Sequence, residues 1–127
     1  MVKILAEISA GELIDKITIL EIKKEKINDD QKLIDINKEL ISLNSTMKEF
    51  IPDLNKVSNL KNDLKNINLK LWDIEDSKRN AEKNKKFDEE FIRLARNVYK
   101  FNDERAKIKL LINIILGSNI KEVKSYK

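Results

Sequence analysis

Two stretches carry the side chains best suited to chemistry. In LWDIED (71–76) and the residues just after it, Trp72, Asp76 and Arg79 are spaced i, i+4, i+7. On a helix that spacing puts them on one face. In RNVYKFNDER (96–105), Arg96, Tyr99 and Asp103 form a similar row. Asn102 and Arg105 fall where the local apolar repeat demands hydrophobic residues. An unpaired charge in such a seam is costly, so Arg105 must meet a carboxylate, a ligand or water. Trp72, Asp76, Arg79, Arg96, Tyr99, Asn102 and Arg105 therefore form the candidate ligand-binding cluster. Glu12, Asp15 and Lys16 are secondary candidates from the first helix, with Glu75 and Asp103. Arginine and asparagine between helices can hold an anion by bidentate, charge-assisted hydrogen bonds. Each residue also has a structural reading. Trp72 and Tyr99 suit packing at a seam edge, Asp76 and Arg79 suit an ion pair, and Asn102 and Arg105 suit register-setting polar positions.

Other chemistries are excluded by composition. The 127 residues contain no Cys and no His, which removes disulfides, thiol catalysis, Cys/His zinc sites and histidine acid–base work. There is no Gly-rich phosphate loop, and no metal or cofactor is implied. Net charge is +4, from 26 basic and 22 acidic residues with the signs interspersed. That distribution counts against nucleic-acid binding, which favours a concentrated basic face. The apolar run IKLLINIILG is about half a membrane span, and MVKILAEIS is charged too early for a signal peptide. A cytoplasmic protein of one domain, with no membrane span, is the expectation.

Charged residues make up 38% of the chain, against roughly 25% on average. With only 2 Gly and 1 Pro, this describes long amphipathic helices with solvated outer faces. Ser9 and Glu12 form a capping box that starts the first helix. Heptad positions Leu13, Leu20, Ile27, Ile34 and Ile41 keep phase through Asn28–Asp30, which favours one helix over about 10–50. A break there, with Asp30 capping a second helix, is the alternative. Pro52 ends this segment. A second helix, about 54–84, carries the stripe Val57, Leu60, Leu64, Ile67, Leu71 and Ile74. A third, about 88–116, starts at Asp88, with Phe87 stapled on Ile92, and ends at Gly117. Its stripe reads Phe91, Ala95, Val98, Asn102, Arg105, Ile108, Ile112 and Ile115. The expected fold is all-α, with three long antiparallel helices. Residues 2–8 and 119–126 can pair as a small two-stranded ribbon. The first helix is longer than its partners, and packing that excess against another subunit would make a homo-oligomer.

GELIDKITILEIK (11–23), LWDIED (71–76), FDEEFIRLARNVYKFNDERAKIK (87–109) and EVKSY (122–126) together resemble DUF6165, an uncharacterised family of bacteria and their viruses. The resemblance runs nearly end to end. It implies signature polar residues at Glu12, Asp15, Lys16, Trp72, Glu75, Asp76, Arg96, Tyr99, Asn102, Asp103 and Arg105, and it implies no activity. Two functions fit the sequence. One is a helical interaction or scaffold module forming a homo-oligomer. The other is an anionic-ligand-binding protein, or small helical enzyme, using the polar cluster.

Overall fold

Three backbone N–H groups at the start of the first helix find partners from both chain ends of the bundle. A helix leaves its first four N–H groups without intrahelical acceptors. Here Glu12 N donates to Ser9 Oγ at 3.1 Å, Gly11 N to Asn113 Oδ1 at 2.6 Å and Ala10 N to Ser118 Oγ at 3.0 Å. The far end of the chain thus caps its beginning. The computed structural model describes residues 1–125, and within them the order is α1 (Ala10–Lys26), α2 (Asp30–Phe50), a 3₁₀ turn (Leu54–Val57), α3 (Ser58–Lys83) and α4 (Glu89–Leu116).

The single helix expected over 10–50 is two helices. Residues 27–29 leave the helix, and Asp29, not Asp30, caps α2. Its carboxylate accepts from Gln31 N at 3.0 Å and Lys32 N at 3.1 Å. The heptad kept phase across the break, but it did not describe a core. Leu13 and Leu20 are buried, whereas Ile34 and Ile41 are exposed; α2 buries Ile36, Leu40 and Met47 instead. The excess length that suggested packing on another subunit is resolved by folding back within the chain.

The remaining boundaries follow local chemistry. Ile51, held out of the helical region before Pro52, ends α2. Asp88 caps α4 by accepting from Phe91 N at 3.2 Å. Phe87 meets Phe91 edge-to-face, with ring centroids 5.3 Å apart. Gly117 closes α4 in the left-handed region at φ 64°, and Ser118 N reaches back to Asn113 O at 2.8 Å, a Schellman closure. Between α3 and α4, Lys85 turns the chain at φ 54°. No strand occurs among the described residues, so the expected ribbon is absent there. Tyr126, its last residue, lies outside them.

Helix α1 packs against each of the other three helices, α3 packs on α4, and α2 packs on α1 alone. Leu13, Ile14, Ile17 and Leu20 of α1 meet Leu40 and Met47 of α2, Leu64 of α3 and Ile112 of α4 in one core. Helix α1 is therefore enclosed on most of its circumference, and its buried set includes Asp15 and Thr18. The register against α4 is antiparallel: Gly11 meets Asn113, Glu12 meets Lys109, and Asp15 meets Arg105.

The closest backbone approach is at Gly11. A methyl group there would lie 2.5 Å from Lys109 O and 2.9 Å from Asn113 Oδ1. Overpacking of this kind costs about 1–3 kcal/mol, against at most about 1 kcal/mol gained from alanine's helix propensity. Gly11→Ala should thus lower the urea-unfolding free energy, by up to about 2 kcal/mol.

Candidate functional site

The most buried charge belongs to Asp15, whose side chain is 1% exposed. Its carboxylate is held from two other helices. Arg105 of α4 donates from Nε to Oδ1 at 3.0 Å and from Nη2 to Oδ2, a two-pronged grip. Asn68 of α3 donates from Nδ2 to the same Oδ1 at 2.9 Å and to Thr18 Oγ1 at 3.0 Å. Thr18 in turn donates to Asp15 O at 2.7 Å. One turn along α4, Lys109 lies 3.8 Å from Asp15 Oδ2, and it pairs with Glu12 at 2.6 Å and with Glu122 at 2.9 Å. Lys124 also meets Glu122, at 2.9 Å.

The electrostatics follow this geometry. Hydrogen bonds to Asp15 hold the Arg105 guanidinium above its usual range and outweigh its partial burial. Burial pulls Lys109 down, yet hydrogen bonds to Glu12 and Glu122 outweigh it and leave the ammonium raised. Glu122, bonded to Lys124 and Lys109, is lowered to about 2. With Lys16, 3.8 Å from Glu12, the network carries three acids (Glu12, Asp15, Glu122) and four bases (Lys16, Arg105, Lys109, Lys124), an excess of one positive charge.

Two clefts flank Arg105. The larger, about 360 Å³, lies between α1 and α3 and is lined by Ile19, Ile22, Leu71, Trp72, Asp76 and Arg79, with Asn68, Glu75 and Arg105 at its edges. The smaller, about 210 Å³, is lined by Asn102, Asp103, Ala106, Lys109 and Lys124, again with Arg105. Trp72, Asp76, Arg79 and Arg105 of the candidate cluster thus share one cleft. Asn102 sits on the other side of Arg105, its Oδ1 accepting from Arg105 Nη1 at 3.4 Å. Arg96 and Tyr99 are exposed and line neither cleft. Of the secondary candidates, Asp15 and Glu12 belong to the ion network, Lys16 is exposed 3.8 Å from Glu12, Glu75 lies on the larger cleft and Asp103 on the smaller.

The α4 stripe is corrected at three positions, since Ala95, Asn102 and Ile115 are exposed. Its half-buried positions include Phe91, Leu94, Val98, Phe101 and Arg105, so Phe101 takes the seam position expected of Asn102. Lys70 of α3 reaches over the Phe101 ring at 5.2 Å. Asn68, Thr18, Lys109 and Asn113 were not among the sequence candidates, although all four are buried. Asn68 was legible, because it follows Ile67 within an otherwise apolar stripe. Lys109 and Asn113 follow from the corrected α4 register. Among the described residues no three carboxylates converge on a possible metal position.

These polar residues span the chain from α1 to the tail, and so does the match to a known family. The sequence model of Family of unknown function (DUF6165) covers residues 4–127. The chain belongs to this family. No curated protein and no solved structure matches it.

The Glu122 pairing makes a pH prediction. A carboxyl lowered from 4.5 to about 2 stabilises the fold above pH 4.5, and the contribution disappears as pH falls through about 2. Glu122 itself is partly exposed and screened, so the pairing is worth at most about 1 kcal/mol. Urea midpoints of wild type should exceed those of Glu122→Gln at pH 6, and the gap should close between pH 4.5 and 2.

Proposed function

We propose that this DUF6165 chain is an interaction module that assembles with copies of itself through the uncharged end of its helical bundle. One observation carries this reading. The last turns of α4 are apolar except for Asn113: Ile112 faces the core, while Leu110, Leu111, Ile114 and Ile115 are 43–56% exposed on the opposite face. A helix that is hydrophobic all round is normally covered. From Leu110 to Ser118 there is no charged residue, in a chain where charges are otherwise dense.

Two other segments also expose apolar side chains. The contact between Ala10 and Ser118 sets the base of the N-terminal arm beside the end of α4, and the arm exposes Val2, Ile4 and Leu5. Helix α2, which packs on α1 alone, exposes Ile34 and Ile41 on its outer face. No described helix is long and apolar enough to cross a membrane, so a bilayer-spanning role for α4 has no support. A second copy supplies the same apolar surface in return, as a two-fold interface requires.

Sedimentation equilibrium tests this. Wild type should associate reversibly. Burying one Leu or Ile is worth about 1.5–3 kcal/mol, so Leu111→Glu with Ile115→Glu should weaken association by about 100-fold or more. A wild type that sediments as a monomer at every concentration, or a variant that associates as well as wild type, would refute the reading.

A further inference from the structure

The larger cleft is electrostatically balanced in a way that selects a ligand class. Arg105 is committed to Asp15, and Glu75 pairs with Lys78 at 3.5 Å. Among the described residues, Asp76 and Arg79 have no ion-pair partner within 4.0 Å, so the cleft offers one uncommitted negative and one uncommitted positive charge. They are one helical turn apart, on the face that also carries Trp72. Cβ atoms at that spacing are about 5–6 Å apart. An ammonium and a carboxylate attached to one carbon can bridge two such groups through hydrogen bonds of ordinary length.

The rest of the lining is apolar. Ile19, Ile22 and Leu71 form the floor, and Trp72 forms a wall. Asn68 is 6% exposed; both Nδ2 hydrogens are used, on Asp15 and Thr18, while Oδ1 accepts no bond among the described residues. The cleft can therefore also take one N–H donor. Its volume, about 360 Å³, is near the lower end of ligand pockets, which run from about 300 to 1,000 Å³. A multiply charged anion would meet one free cation and two carboxylates there, which disfavours phosphates and dicarboxylates.

We propose that the cleft between α1 and α3 binds a free zwitterionic amino acid with an apolar side chain, its ammonium on Asp76, its carboxylate on Arg79 and its side chain against Trp72 and the isoleucine floor. The apolar end proposed for self-association contributes no residue to this cleft, so the two readings stand or fall separately.

Trp72 is the only tryptophan, so its emission reports directly on occupancy. The full chain should be titrated with L-leucine, with isoamylamine (no carboxylate), with 4-methylpentanoate (no ammonium) and with inorganic phosphate. L-leucine should shift Trp72 emission saturably and raise the melting temperature. Each single-charge analogue should bind at least about tenfold more weakly, as expected when a charged hydrogen bond is lost. Arg79→Gln and Asp76→Asn alter exposed side chains; each should keep the circular dichroism of wild type and bind leucine at least about tenfold more weakly. The proposal is overturned if leucine gives no saturable response, if isoamylamine or phosphate binds as well, or if the folded variants bind leucine like wild type.

Discussion

A buried carboxylate on the central helix is the constraint around which the other helices are arranged. Taking Asp15 out of water costs several kcal/mol unless its oxygens are fully engaged. No side chain on α1 could supply both a compensating charge and the remaining hydrogen bonds. They come instead from α4, through the fork of Arg105, and from α3, through Asn68. Each donor is directional. α1 therefore cannot slide by a residue against either neighbour without stranding a charge. The apolar residues around it, Ile14, Ile17 and Leu64, would tolerate such slips far better, because dispersion and burial have little directionality.

The same register sets the two ends of α1. With Asp15 opposite Arg105, Gly11 comes opposite Lys109 and Asn113, where only hydrogen fits. The carbonyl oxygen of the Asn113 side chain then caps an N–H that no local residue satisfies. Glu12 falls opposite Lys109, and Glu122 of the tail closes the other side of that ammonium. Helix α2 takes no part in this polar framework. It is attached through Ile36, Leu40 and Met47, and its outer face is mostly charged and polar, with Ile34 and Ile41 exposed among Asp35, Lys38, Glu39 and Ser42.

What was legible in the sequence follows the range of each interaction. Ser9, Asp88 and Gly117 were readable as caps because a cap is settled within a few residues. The α3 stripe was readable because its spacing is uninterrupted. The break at 27–29 was misread because isoleucines on both sides kept a heptad phase by coincidence; Ile34 and Ile41 turned out to face outward. Arg105 was recognised as a polar residue in a seam that had to meet a carboxylate, a ligand or water. Its partner could not be chosen, since Asp15 lies 90 residues away. Asn102 was misplaced by one position, enough on a helix to move it from the seam to the surface. Trp72, Asp76 and Arg79 were grouped correctly on one face, but the isoleucine floor beneath them depends on how α1 crosses α3.

A double-mutant cycle between Asp15 and Arg105 tests the central claim most directly, with unfolding free energies measured in urea. Arg105→Met strands the buried carboxylate and should cost about 3–5 kcal/mol. Asp15→Leu removes that carboxylate, so the double variant should be much less destabilised than the sum of the two singles, with a coupling of at least about 1 kcal/mol. If the two effects instead add to within about 0.5 kcal/mol, the pair does not fix the register of α1, and the apolar core alone sets the arrangement.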